Sequence, residues 1–230
     1  MASEPSLVSS SFFVLEQYGA STRHDADVEK VDPVNRESAP RCAGCGDIIG
    51  MKIWLPPFKV ELVLFGEELG DLLKTGYDLL LSERLAHAFV EEGLTGLKGF
   101  HPVDVVRVRR GRSGPKPPAA PRYVVATPCF ARAVVDLPRS RIEYSKTPTC
   151  DDCRNEGPRA IHGYTLDVAS WKGEDVFRPR GLQGVLTVSE RFARMVKAHG
   201  FTNMRLTPTE EFVWNPYGPD PLPTTKEGSA

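Results

Sequence analysis

Two Cys-x-x-Cys pairs, Cys42–Cys45 and Cys150–Cys153, bracket almost half of this 230-residue chain. One such turn aims two sulfurs at a metal ion, and a tetrahedral site needs four. Joining the pairs obliges residues 46–149 to leave and return, which restricts the folds open to the chain. Gly46 follows the first pair and permits a tight turn, whereas Arg154 stands in that place after the second, where a strained or differently shaped turn is expected. The x-x spacing also lets backbone N–H groups cap the sulfurs. A complete set of four cysteines takes structural Zn²⁺ at about 2.3 Å and leaves no open position for catalysis. A redox dithiol and a site left empty are rival readings of the same residues.

A second pair of segments repeats at nearly the same offset. Leu81-Ser-Glu-Arg-Leu-Ala-His-Ala-Phe through Gly93-Leu-Thr95 matches Val188-Ser-Glu-Arg-Phe-Ala-Arg-Met-Val through Gly200-Phe-Thr202. Each reads as a short helix with Ser82 or Ser189 as N-cap and Glu83 or Glu190 in the first turn, where a negative charge favours the dipole. The apolar stripes are Leu81, Leu85, Ala88 and Phe89, and Val188, Phe192, Met195 and Val196. Gly93 and Gly200 suit a left-handed ending, which places Leu94 and Phe201 against Phe89 and Val196. Asp71-Leu-Leu with Leu79–Leu81, and Asp175-Val-Phe with Val185–Val188, read as strands or turns feeding the caps. Leu97–Val106 and Met204–Val213 read as strands leaving them. Two features at nearly one offset point to an internal duplication, with one metal shared between the halves.

The expected fold class is α+β, with mixed or antiparallel sheets and few helices, in internally duplicated halves joined by a four-cysteine zinc knuckle. A single domain is expected over residues 12–217, with related halves at about 42–106 and 150–213. A flexible N-terminus (1–11) and a Pro-rich disordered tail (218–230) flank it. Further strands are expected at Ile53–Leu64, interrupted by Pro56-Pro57, and at Arg141–Tyr144. Val105–Arg109 and Arg122–Ala126 read as two strands joined by a Gly/Pro-rich loop.

A net charge of −1 argues against a chain whose main task is gripping nucleic acid. The start lacks a basic n-region, and no run approaches the roughly 20 apolar residues that span a bilayer, so no membrane partner and a cytoplasmic location are expected. Arg107, Arg109, Arg110, Arg112, Lys116 and Arg122 form the basic cluster. A solvated hairpin tip is its plainer explanation; phosphate or an acidic protein surface is the functional one. Cys129 reads as a buried small hydrophobe, and no spacing nominates His24, His87, His101, His162 or His199 as its catalytic partner. The carboxylate pairs Glu67-Glu68, Asp151-Asp152 and Glu210-Glu211 read as solvated surface, and Trp54, Trp171 and Trp214 as packing. Phosphate-loop, dinucleotide, nucleophile-elbow and H-E-x-x-H motifs are absent, so nothing here supports an enzyme.

These features together resemble the double-CxxCG family, a paralogous group expanded in myxobacteria. The resemblance is carried by Cys42, Cys45 and Gly46; by Asp78-Leu-Leu-Leu-Ser-Glu-Arg-Leu and Gly93-Leu-Thr-Gly-Leu-Lys-Gly99; by Cys150 and Cys153; and by Asp175-Val-Phe with Val188-Ser-Glu-Arg-Phe. It covers about residues 12–214. Arg154 in place of a glycine, and a longer N-terminal segment, depart from the family pattern. Members of that family are immunity proteins paired with Sit-type lipoprotein toxins in kin discrimination. The resemblance implies a cytoplasmic protein that neutralises one cognate toxin by occlusion, with zinc holding the scaffold while loops vary. The basic cluster at 107–122 and the segment 65–78 are the candidate contact surfaces. A zinc-ribbon nucleic-acid binder is the alternative function, with salt-dependent binding through the basic cluster.

Overall fold

The computed structural model describes residues 11–18 and 22–218. The expected flexible ends, 1–11 and 218–230, lie outside the described residues except for Ser11 and Gly218. Strands β1 (Phe12–Gln17), β2 (Ala26–Lys30) and β3 (Asn35–Arg36) precede β4 (Trp54–Leu55) and β5 (Lys59–Leu64). Then come β6 (Leu72–Thr75), β7 (Asp78–Ser82), helix α1 (Glu83–Glu91) and two long strands, β8 (Leu97–Arg110) and β9 (Tyr123–Val135). β10 (Ile142–Tyr144), β11 (Pro158–His162) and β12 (Leu166–Asp167) lead to β13 (Val176–Arg180) and β14 (Thr187–Ser189). Helix α2 (Glu190–His199), β15 (Met204–Pro208) and β16 (Val213–Trp214) complete the order.

The architecture is mostly β, with two helices, in place of the expected α+β balance. Eleven strands share one mixed sheet, and its main path runs β15-β1-β14-β13-β9-β8-β5-β2. β7 joins this sheet through β9 and carries β6 on its other edge. β10, β11 and β16 form a separate antiparallel sheet, so the expected return strand Met204–Val213 is two strands in two sheets.

Both helices form as their sequences dictate. Ser82 Oγ accepts from the Leu85 N–H and Ser189 Oγ from the Phe192 N–H, each at 3.3 Å. Both helices end in left-handed glycines, Gly93 (φ 63°) and Gly200 (φ 59°). The Leu94 N–H then reaches back to the Phe89 carbonyl at 3.0 Å, and the Phe201 N–H to that of Val196 at 3.1 Å, the six-to-one bond of a Schellman ending. The two apolar stripes meet in one core that holds Leu85, Phe89 and Leu94 with Phe192, Met195 and Phe201. Burying both stripes together stabilises helices that are too short to persist alone.

The surroundings of the helices also correspond. In the first unit β6 pairs with β7, β7 with β9, and β9 with β8, all antiparallel. In the second β13 pairs with β14, β14 with β1, and β1 with β15, again antiparallel. Leu72 faces Leu81 in one hairpin, and Val176 faces Val188 in the other. β9 belongs to both units, because its far end pairs in parallel with β13.

A buried aspartate ties each unit to the other. Asp71 accepts from Ser82 Oγ (2.6 Å), Arg84 Nε (2.7 Å), and the Thr202 N–H (2.8 Å) and hydroxyl (2.9 Å). Asp175 accepts from Ser189 Oγ (2.6 Å), Arg191 Nη1 (3.2 Å), and the Thr95 N–H (2.9 Å) and hydroxyl (3.4 Å). Arg84 reaches on to the carbonyls of His199 and Gly200 at the end of α2. Arg191 reaches those of Glu92 and Gly93 at the end of α1. Each aspartate thus caps the start of its own helix and the chain leaving the other. Burial opposes ionisation of Asp71, but hydrogen bonds from Arg84, Ser82 and Thr202 outweigh it and hold the carboxyl below its usual range.

The basic cluster is not the hairpin its sequence predicts. Pairing of β8 with β9 stops at Val103↔Tyr123, and residues 104–110 pair in parallel with β5 instead. A bulge at Phe100, whose φ is 51°, bends β8 between its two partners. The register of a long strand depends on distant partners that a local apolar–basic alternation cannot reveal.

Candidate metal centre

All four cysteines of the two Cys-x-x-Cys pairs converge. Their sulfurs lie within 4.8 Å of one another, and all four are free thiols. Cys42 Sγ stands 3.9 Å from Cys150 Sγ, and Cys45 Sγ 3.6 Å from Cys153 Sγ. Sulfurs at about 2.3 Å from one tetrahedral ion stand about 3.8 Å apart, whereas a disulfide requires about 2.05 Å. These two separations fit a shared ion, and the remaining ones stay within 4.8 Å. Cys42 and Cys153 are buried, Cys150 is half-buried and Cys45 is exposed, so the cluster opens to solvent on one side.

Each knuckle is a turn closed by its own backbone. The Gly46 N–H donates to the Cys42 carbonyl, and the Arg154 N–H to that of Cys150, both at 2.9 Å. Gly46 takes φ 79° and Arg154 takes φ 50°. Of the two expectations for the second turn, the strained one holds and the differently shaped one does not: Arg154 adopts the left-handed conformation that glycine adopts in the first. That conformation costs a non-glycine residue about 1 kcal/mol. Arg154 Nη1 donates to the Val135 carbonyl at 2.9 Å, which anchors the turn to the end of β9 and offsets the strain.

Contacts from distant elements hold the knuckles together. Asn155 Nδ2 donates to the Ile48 carbonyl at 2.8 Å, which links the second turn to the first. Gln183 Nε2 donates to the Cys153 carbonyl at 2.8 Å. Arg180 binds the Asp152 carbonyl and carboxylate, and that carboxylate also lies 3.4 Å from Cys42 Sγ. Asp152, read from the sequence as solvated surface, instead belongs to the outer shell of the cysteine cluster. Arg180 and Gln183 carry no sequence signal for this role, because they lie on β13 and the loop that follows it, far from either cysteine pair in sequence.

Local backbone favours a thiolate here. N–H groups of Cys153 and Asp152 point at the Cys150 sulfur and lower its thiol to about 7. The Asp47 N–H acts likewise on Cys45, but desolvation and the three neighbouring sulfurs outweigh it and push that thiol up to about 12. Four sulfurs this close cannot all ionise without a cation among them. A metal ion held among them would supply that charge.

The other expected residues fall elsewhere. Arg109 pairs with Glu29 at 2.6 Å, Arg122 with Glu83 at 2.5 Å, and Arg110 binds the carbonyls of Gly66 and Pro115. Arg107, Arg112 and Lys116 are exposed and form no ion pair among the described residues. The cluster thus divides into three cations with partners, of which Arg122 is itself exposed, and three exposed cations without an ion pair. In the segment 65–78, Glu68 binds Arg23 and Asp71 belongs to the buried clamp. His87 and His199 pair with Glu91 and Glu92. Burial raises the Cys129 thiol to about 11, in keeping with an inert side chain. Trp54 is buried, Trp171 packs edge-on against Phe12, and Trp214 is partly exposed.

Among the described residues no helix is long and apolar enough to cross a membrane. No protein-family model matches the chain, and no curated protein matches it.

Proposed function

We propose that this chain is an immunity protein that binds and occludes a cognate toxin, on a scaffold locked by one structural zinc ion. The convergence of Cys42, Cys45, Cys150 and Cys153 on one tetrahedron-sized space carries the zinc part of this reading. Four thiolates satisfy tetrahedral zinc and leave no open coordination position, so the metal acts in stability rather than turnover. The matching pair orders and reciprocal aspartate contacts support descent of the two units from a duplicated ancestor. The toxin-binding part rests on the motif resemblance, with Arg107, Arg112 and Lys116 as exposed charges available to an acidic partner. Pairing of Arg109 with Glu29 and of Arg110 with the Gly66 and Pro115 carbonyls leaves less support for the nucleic-acid reading.

Affinity purification of the tagged chain from its own source tests this proposal. The expected result is one stoichiometric protein partner and inhibition of that partner's toxicity. Recovery of nucleic acid with salt-dependent affinity, and no protein partner, would overturn it.

A further inference from the structure

A cleft of about 470 Å³ lies between residues 49–58 and the β8–β9 ribbon, well within the size range of sites for small organic ligands. One wall is aromatic. Phe58 and His101 stack with centroids 5.2 Å apart and planes 11° from parallel, and Trp54 meets Phe58 edge-on at 5.1 Å. Phe130 and Met51 add further apolar lining, with Met51 half exposed. Such walls favour a flat apolar body.

The charges of the cleft are unbalanced. Lys52, Lys98 and Arg178 line it, and Asp78 is the acidic residue among its lining. Asp78 is already committed: it accepts from Lys30 at 3.1 Å and from Thr127 at 2.8 Å. Lys52 and Lys98 are exposed and make no ion pair among the described residues. Arg178 is only 4% exposed, with its guanidinium 4.0 Å over the Tyr77 ring. Its Nη1 donates to the carbonyls of Gln183 and Gly184, while its buried Nε has no partner. No carboxylate among the described residues lies within ion-pair distance of it. A buried guanidinium touched only by carbonyls and a ring, with Asp78 acting on it from beyond contact and shared with Lys30, leaves positive potential at the cleft, where an anion is favoured.

We propose that this cleft binds a small aromatic anion, its planar body along the Trp54–Phe58–His101 wall and its carboxylate, sulfonate or phosphate toward Lys98 and Arg178. The site is separate from the cysteine cluster and does not depend on the immunity reading.

The test uses the metal-loaded full chain and the probe 8-anilinonaphthalene-1-sulfonate. Fluorescence titration is expected to show saturable binding of one probe per chain, with the near-ultraviolet dichroism of the folded protein unchanged. Its uncharged parent, 1-anilinonaphthalene, should bind at least about tenfold more weakly, the loss of one favourable charge contact. Lys98→Glu should weaken the probe by about tenfold or more, and the double variant Lys52→Glu/Lys98→Glu further, because both side chains are exposed and unpaired and the fold tolerates their change. Exposed Lys146→Glu, which does not line the cleft, should leave affinity unchanged. Absence of saturable binding to the folded chain, or equal affinity in wild type and the double variant, would overturn the proposal.

Discussion

Two polar clusters stitch this chain together across long sequence distances, and they differ in how their charge is met. The aspartate clamps at Asp71 and Asp175 are complete: hydroxyls, N–H groups and an arginine surround each carboxylate. The cysteine cluster gathers four potential anions, and the cationic side chains at its turns are engaged elsewhere: Arg180 with Asp152, Arg41 with the Gly46 carbonyl and Arg154 with that of Val135. The first cluster answers its own electrostatics, whereas the second has room for an ion from outside. The clamps therefore hold the paired units without an added ion, and a metal held by the cysteines would make stability depend on metal supply.

Removing the metal should give the largest effect. Chelation, or Cys42→Ser with Cys45→Ser, is expected to lower the midpoint of thermal unfolding by about 10 °C or more, as for loss of several kcal/mol in a chain of this size. Differential scanning calorimetry with and without chelator measures this, and an unchanged midpoint would erase the distinction between the clusters. The same chelation should open Cys150, held at about 7, to alkylation at neutral pH, while Cys129, held at about 11, stays slow.

Asp175→Asn and Asp71→Asn should each cost about 3 kcal/mol by denaturant titration, because each strands an arginine and breaks a buried hydrogen-bonded cluster. Neither should change the metal content. Acid separates the clusters further. The folded pKa of Asp71 lies below its unfolded value, so its contribution is complete above the ordinary carboxylate range and is lost only as pH falls through the lower folded value. Metal should leave earlier, since protons compete for thiolates. Release of metal followed at lower pH by unfolding is the expected order in a joint titration; simultaneous loss would contradict it.

The two clamps can also be compared with each other. Arg84 binds Asp71 through two nitrogens and lies 4.8 Å over the Phe201 ring, whereas Arg191 reaches Asp175 through one. Arg84→Ala should therefore cost about 1 kcal/mol and Arg191→Ala less, both being partly exposed. Smallest of all, Arg154→Gly should shift stability by under about 0.5 kcal/mol, since relief of the left-handed strain offsets loss of the bond to Val135. A large change in either direction, read by chemical denaturation, would show that the two knuckles are not equivalent turns.

Much of this was legible in short stretches of sequence. Ser82, Ser189, Gly93 and Gly200 mark helix ends by chemistry that acts within a few residues, and the cysteine spacing announces its missing partner. The aspartates were visible only as approach segments, since Asp71 meets Thr202, and Asp175 meets Thr95, across most of the fold. The change of partner along β8, the sharing of β9 between units, and the place of Asp152 beneath Arg180 depend likewise on contacts between distant segments. The cleft was invisible for the same reason: Trp54, Lys98 and Arg178 have no common motif.

The most direct test of the account is X-ray absorption at the metal edge, with elemental analysis of the same folded sample. The account predicts one zinc per chain with four sulfur neighbours at about 2.3 Å. Folded protein without metal, or a metal bound through nitrogen or oxygen in place of any of the four cysteines, would contradict it.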